Sequence, residues 1–187
     1  MNQQALLAGG EIDTPLTDKG RQQAETAARL VAGLPDQPSI IVHSHLSRAR
    51  DTAQAVAQAT RLDMVEGANL QEHMVGDWAG TPYLDCRAAL DRGEESPNGE
   101  TLDQFAHRVG SAIGVVQSSH PASPLIVAHG GLFRAFARLQ GWGLVHSRIT
   151  NCALCHFVPR GTGWDVHQWQ MAEDGTSVAG PSPFAPL

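Results

Sequence analysis

Residues 129–131 read His-Gly-Gly and lie between an apolar run and an apolar pattern of helical spacing. The run at residues 125–128 is apolar throughout, as in a strand that is covered on both faces, and apolar residues then recur at 132, 135, 136 and 139. Glycines lack a β-carbon, so backbone N–H groups can approach a ligand, and the N-terminus of a helix favours a bound anion. The pattern predicts a phosphate site, although it also fits a histidine packed at a strand end beside a simple glycine turn.

A second candidate, Arg48, follows another short apolar run at residues 40–42. The pattern places Arg48 in the first turn of a helix, where a bound anion would relieve its repulsion with the positive end of the helix dipole. Arg50 points elsewhere on that helix and is expected in solvent or beside an acid. Taken alone, Arg48 also fits a surface arginine. The carboxyl ends of parallel strands share one sheet edge, however, so we expect Arg48 and His129 at the same edge.

The elements that must position these residues alternate between strand and helix, which predicts an α/β fold with a largely parallel sheet. Strands are expected at residues 39–43, 62–65, 125–128, 152–158 and 164–170. Helices are expected at residues 17–33, from a cap at Ser44 or Ser47, at 84–90 and from a capping box of Thr101 and Gln104. We predict a single domain over residues 1–175, with a lid or insertion at 67–97, and a disordered tail at 176–187.

Composition restricts the classes of function. The 187 residues carry a net charge of -6, which argues against nonspecific nucleic-acid binding, so any anion site must be local. No apolar run is long enough for a membrane anchor, and the N-terminal residues lack the features of a secretory signal. We therefore expect a cytoplasmic protein that binds neither nucleic acid nor membrane.

Cys152, Cys155 and His156 spell the pattern Cys-x-x-Cys-His, which is used for haem attachment. The stretch is more typical of a β-strand, in which residues three apart point to opposite faces and cannot share a ligand. The odd number of cysteines also gives no disulfide framework. We expect no metal and no cofactor.

Five segments in order resemble the histidine phosphatase superfamily, the phosphoglycerate-mutase-like enzymes, and the resemblance covers nearly the full chain. They are residues 15–24, which are similar to the entry of the family's first helix, 44–53, which are similar to its Ser-x-Leu-x-Arg-Ala-x-x-Thr-Ala segment, 70–80, 97–101 and 127–131. The resemblance implies a three-layer α/β/α fold with a mostly parallel sheet. The segment at residues 70–80 is similar to the one that holds the family's proton donor.

By this resemblance, Arg48 and His129 bind the phosphoryl group, and Glu72 is the general acid and base, with Glu66 as the next candidate acid. Arg48, a protonated His129 and the Gly130 N–H would stabilise the charge on the transferring phosphoryl group. Asn2 matches an asparagine that helps to hold phosphate. The implied partner is a small phosphorylated substrate.

The sequence departs from the family in one respect: it contains no Arg-His-Gly, the motif that ends the family's first strand and supplies the nucleophilic histidine. A truncated gene model, a late start codon and a non-catalytic derivative would each give this sequence. His43 and His45 are expected to line the rim of the site rather than to replace the nucleophile. Because the resemblance makes the missing strand central, we expect two strand edges and part of the core to be uncovered.

The function implied is phosphomonoester hydrolysis through a phosphohistidine intermediate, with the nucleophile absent from this chain. A non-catalytic module that binds phosphorylated ligands is the alternative from another class. Phosphoglycerate mutase is the alternative within the family, but mutases carry a long insertion between the acid and the second histidine. Here little more than one helix pair joins Glu72 to His129.

Overall fold

The structure, a computed structural model, describes residues 6–92, 94–144, 149–161 and 163–186. Its helices are α1 (Asp18–Ala32), α2 (Ser47–Thr60), α3 (Tyr83–Asp91), α4 (Leu102–Ser119) and α5 (Gly130–Gln140), with a 3-10 turn at Gly76–Trp78. Its strands are β1 (Ile41–His43), β2 (Met64–Glu66), β3 (Leu125–Val127), β4 (Trp142–Leu144), β5 (Leu154–Arg160), β6 (Gly163–Met171), β7 (Ser177–Gly180) and β8 (Phe184–Pro186). No helix in these ranges is long and apolar enough to cross a membrane.

Two helices begin where the sequence predicts them. Thr17 caps α1, since its Oγ1 accepts a hydrogen bond from Gly20 N at 3.0 Å, and Gly33 follows the last turn. At α4, Thr101 Oγ1 accepts from Gln104 N at 3.1 Å, while Gln104 Oε1 accepts from Thr101 N at 2.8 Å. These caps satisfy backbone N–H groups that the first turn leaves unbonded, so they fix where each helix starts.

β1 is the centre of a parallel three-stranded sheet in the order β2-β1-β3. Val42 is in register with Val65 on one side and with Ile126 on the other. The segments that follow β1 and β3 therefore leave the sheet at the same edge, as predicted.

Helices cover both faces of this sheet, which gives the three layers implied by the resemblance. The face toward α4 and α5 holds a core whose buried members include Val42, Leu70, Phe105, Ala106, Val109 and Leu132. The opposite core lies against α1 and α2, and its buried members are Ala28, Val31, Ile41, Ala53 and Val56. Burial of each large apolar side chain contributes about 1.5–3 kcal/mol, so these cores hold the sheet edge in place.

β3 has helices over both faces but is less buried than the sequence predicts. Ile126 packs toward the core of α4 and α5, whereas Leu125 and Val127 pack toward the core of α1 and α2. All three are only half-buried, because no described strand pairs with the outer edge of β3. The outer edge of β5 also has no described partner, and Leu154 of β5 packs against the same core as Leu125. Two strand edges that no other described strand pairs with thus lie beside one core.

The C-terminal strands are antiparallel rather than part of the parallel sheet. β6 lies between β5 and β7, and β8 pairs with β4. The sequence predicts a disordered tail at residues 176–187, whereas the structure forms β7 and β8 there. Phe184 explains part of this difference, since its ring packs among the rings of Phe133, Phe136, Trp142 and Phe157. Such partners are distant in sequence, so local composition does not reveal them.

A strand that closes the two open edges should stabilise the fold. We expect a chain extended ahead of Met1 by an apolar strand ending in Arg-His-Gly to melt at a higher temperature than the 187 residues alone. Such a strand can pair with β3 and β5 and cover half-buried residues such as Ile126. Each kcal/mol gained raises Tm by roughly 2–4 °C in a domain of this size, which circular dichroism resolves.

The control is an extension of equal length built from glycine and serine, which should leave Tm unchanged. Equal melting temperatures for the two extensions would show that a strand added at these edges does not stabilise the fold.

Candidate active site

The N-terminus of α2 is capped by a carboxylate from a distant loop. The sequence predicts Ser44 or Ser47 as the cap, but the N-cap position is Leu46, which makes no side-chain cap. Instead, Asp13 Oδ1 accepts hydrogen bonds from the backbone N and the hydroxyl of Ser47, both at 2.8 Å. Burial alone would raise the pKa of Asp13, but these bonds and the charge of Arg48 hold it below its ordinary value. The loop before α1 is thereby tied to the start of α2.

Arg48 reaches back over the same loop. Its guanidinium donates to Gly9 O at 2.9 Å and to Ile12 O at 3.2 Å. Burial lowers the pKa of Arg48, and the negative charges of Glu72 and Asp13 oppose that shift. The group stays protonated at physiological pH. Among the described residues, these two carbonyls are the acceptors of its hydrogen bonds, and a guanidinium has five N–H donors in all.

His129 lies between β3 and α5, at the N-cap position of α5. Its Nε2 is 2.9 Å from Ser44 Oγ, and Ser44 is fully buried. Burial lowers the pKa of His129 from 6.5 to about 3, and the positive charges of Arg48, His45 and Arg108 act in the same direction. The ring is therefore neutral at pH 7, whereas the resemblance implies a protonated His129.

Glu72 places its carboxylate at the N-terminus of α5. Its Oε2 accepts from Gly131 N at 3.1 Å, and its Oε1 accepts from His73 N at 2.9 Å. A carboxylate here satisfies backbone donors and faces the positive end of the helix dipole. The His-Gly-Gly turn thus holds an acidic side chain, which the sequence alone does not indicate.

Two glycines allow this close approach. A β-carbon on Gly131 would lie 1.9 Å from Glu72 Oε1, and one on Gly10 would lie 2.6 Å from Glu72 O. Gly10 N also donates to His73 O at 2.8 Å, which ties the loop before α1 to the segment of the acid. Gly130, by contrast, would add its β-carbon into open space, so a ligand has room beside its backbone.

The predicted arginine, acid and histidine share one site. Glu72 shifts the pKa of Arg48, and Arg48 shifts that of His129, so each pair is within electrostatic reach. Asn2 lies outside the described residues. Glu66, the alternative acid, ends β2 with an exposed side chain.

The two histidines after β1 differ from each other. His43 is buried, and its Nδ1 lies 2.9 Å from Ser44 O, so it belongs to the interior rather than to the predicted rim. His45 is exposed and close enough to His129 to shift its pKa. Of the two, only His45 has the exposed position that the sequence predicts.

Sequence reasoning missed several residues that position the site. They are Asp13, Ser44, Glu100 and Arg108. Ser44 is the first residue of the recognised segment at 44–53, Glu100 lies within the one at 97–101, and Asp13 lies just before the one at 15–24. The pairing of Glu100 with Arg108 has no local signal in the sequence, because eight positions separate them.

The cysteine pattern has no ligand geometry. The thiols of Cys152 and Cys155 are free. Burial raises the pKa of both, that of Cys155 to about 12, so neither is a thiolate at neutral pH. Within the ranges that the structure describes, no three His, Cys, Asp or Glu side chains converge on a position that could hold a metal ion.

Known proteins resemble this chain in sequence. A glucosyl-3-phosphoglycerate phosphatase of Mycolicibacterium vanbaalenii is 33% identical over 145 residues, which are 67% of this chain and 63% of that protein. The match thus spans less than two thirds of that relative. A probable phosphoglycerate mutase GpmB of Shigella boydii is 28% identical over 181 residues, which are 89% of this chain and 83% of that protein.

The fold is similar to that of a solved phosphatase. The structure of a mycobacterial glucosyl-3-phosphoglycerate phosphatase matches with a TM-score of 0.63 and 29% identity, over 74% of this chain and 73% of that one. The family profile of the histidine phosphatase superfamily (branch 1) matches residues 1–172. Because the order of the motifs, the fold and a family match over most of the chain agree, the chain belongs to the histidine phosphatase superfamily.

Proposed function

We propose that this chain binds small phosphate monoesters between Arg48 and His129, and that the reaction of its site is their hydrolysis. The observation that carries the proposal is the convergence of Arg48, His129 and the Glu72 carboxylate on the N-termini of α2 and α5. Residues 67–97 would cover the site and select the ester. The named activity of the Mycolicibacterium relative makes glucosyl-3-phosphoglycerate the first compound to try.

The phosphoryl group would take hydrogen bonds from Arg48, His129 and the Gly130 N–H. These donors would stabilise the negative charge that spreads over its equatorial oxygens during transfer. The dianion would also raise the pKa of His129, because a nearby negative charge favours the imidazolium.

Proton transfer is the role of Glu72 in this proposal. In the first step a histidine nitrogen attacks phosphorus, the bond from phosphorus to the ester oxygen breaks, and Glu72 gives its proton to the leaving alkoxide. In the second step Glu72 takes a proton from water, whose oxygen attacks phosphorus and releases phosphate and the histidine. The resemblance assigns the first histidine to the Arg-His-Gly motif, which these 187 residues lack.

A second candidate is a module that binds phosphorylated ligands without turnover. Binding would use the same donors from Arg48, His129 and Gly130, so the site geometry fits both candidates. Turnover distinguishes them.

Hydrolysis of p-nitrophenyl phosphate by two chains tests the choice. We expect the 187 residues alone to be inactive and a chain extended ahead of Met1 by the Arg-His-Gly strand to release p-nitrophenol. In the extended chain, Glu72→Gln should lower kcat by about 10²–10⁴-fold, because it removes the general acid and base.

Activity in neither chain, with intact phosphate binding, would contradict hydrolysis and support the binding module. Activity of the short chain that is lost in His45→Asn would show that the nucleophile has been assigned wrongly.

Sulfate binding tests the phosphoryl site without turnover. We expect Arg48→Ala to weaken sulfate affinity at least about tenfold, since hydrogen bonds to a charged group contribute about 1.5–3 kcal/mol. Arg50→Ala is the matched control, because Arg50 lies on the same helix and is exposed beside Asp51. Isothermal titration calorimetry measures both, and an equal loss in the two variants would contradict a local site.

The pH dependence of sulfate affinity tests His129. Sulfate stays a dianion between pH 5 and 8. Over the same pH range the free His129 is neutral, because its pKa is lowered to about 3. Binding should therefore take up a proton, and affinity should rise as pH falls, by at most about tenfold for each pH unit. His129→Asn should flatten this slope.

His107→Asn is the control, since His107 is exposed on α4 and is not among the charges that shift the pKa of His129, so it should leave the slope in place. A slope that survives in His129→Asn would mean that another group takes up the proton.

A further inference from the structure

Arg108 of α4 forms a two-pronged ion pair with Glu100, just before that helix. Arg108 Nε donates to Glu100 Oε1 at 2.6 Å, and Nη2 donates to Oε2 at 2.7 Å. The two side chains are only 14% and 19% exposed, in contrast to the other pairs on the described surface. Burial alone would raise the pKa of Glu100, but hydrogen bonds from Arg108 and Met74 N hold it below its ordinary value.

Arg108 also binds the backbone of the segment that carries Glu72. Its Nη1 donates to Asn69 O at 2.9 Å and to Gln71 O at 3.1 Å, and its Nη2 donates to Glu72 O at 3.1 Å. This segment is neither helix nor strand. Its carbonyls therefore lack ladder partners and need other donors, which the planar guanidinium supplies.

Glu100 holds the other end of the same segment. Its Oε2 accepts from Met74 N at 3.0 Å, and its own N donates to Met74 O at 2.8 Å. Its carbonyl lies 2.8 Å from Nε2 of His73. The His73 ring stacks on the Phe105 ring, with 4.8 Å between their centres. The Arg108 guanidinium lies 5.0 Å from the centre of the Phe105 ring.

We propose that Arg108 and Glu100 are positioning residues for Glu72. They fix the backbone on both sides of Glu72, so that its short side chain reaches Gly131 N and the phosphoryl site. The clearance is small, because a β-carbon on Gly131 would overlap Glu72 Oε1. A backbone shift in this segment would therefore move the carboxylate off the N-terminus of α5. The catalytic meaning of this placement rests on the proposed function.

The amide resonance of Gly131 reports the placement directly and needs no turnover. In the unmodified chain its shift should follow the ionisation of Glu72 as pH changes, and Glu72→Gln should abolish that dependence. We expect Arg108→Lys to lose most of the amplitude, because an ammonium cannot bind the carboxylate and three carbonyls in one plane. Two-dimensional ¹H–¹⁵N NMR measures all three chains.

Arg138→Lys is the matched control. Arg138 pairs with Asp103 at 2.6 Å, but both side chains are half exposed or more, so the amide of Gly131 should titrate as in the unmodified chain. A full amplitude in Arg108→Lys would overturn the proposal, as would an equal loss in the control.

Glu100→Gln is the second variant, for the case that Arg108→Lys does not fold. It keeps the shape of the side chain while removing the charge that orients Arg108, and it should also lose amplitude. If the unmodified chain did not bind sulfate, the proposed function would be contradicted. The Gly131 titration would still test whether Arg108 and Glu100 position Glu72. In an extended, active chain, Arg108→Lys should lower kcat more than it changes KM.

Discussion

The site depends on two helix N-termini that meet at one edge of the parallel sheet, each capped by a carboxylate from an irregular loop. Asp13 caps α2 through Ser47, and Glu72 caps α5 through Gly131. Helix starts carry unbonded N–H groups and the positive end of the dipole, so carboxylates are favourable there. These contacts give the loops fixed places, since neither loop forms a strand or a helix there. The same features make the edge suitable for a phosphoryl group.

Burial and the charges at this edge explain the state of His129. Burial lowers its pKa most, the positive charges of Arg48, His45 and Arg108 lower it further, and the charge of Asp13 opposes them. The neutral ring is thus the consequence of burial first and of the nearby cations second. Each pKa unit corresponds to about 1.4 kcal/mol, so a dianion that restores the imidazolium must supply a large interaction free energy.

The sequence predicts the parts of this arrangement that are local. The caps of α1 and α4 and the strands that end before Ser44 and His129 are set by residues a few positions apart, so spacing reveals them. The cap of α2 could not be predicted in this way, because Asp13 is 34 residues from Ser47. Nor could the strands of the tail, whose apolar partners lie on other elements. The Glu72 contact with Gly131 spans 59 residues, and only the family resemblance pointed to that acid.

The position of Glu72 bears on whether the site binds or also reacts. A carboxylate beside a phosphate site repels the ligand, so a module selected for binding alone would gain affinity from a neutral residue at this position. Here the carboxylate of Glu72 is held by its hydrogen bond to Gly131 N, where a glycine leaves it room. The partly buried pair of Arg108 and Glu100 holds its backbone. The cap on α5 offsets part of this cost, and proton transfer in the proposed reaction gives the acid a further role. The supported position of Glu72 therefore favours hydrolysis over binding in the proposed function.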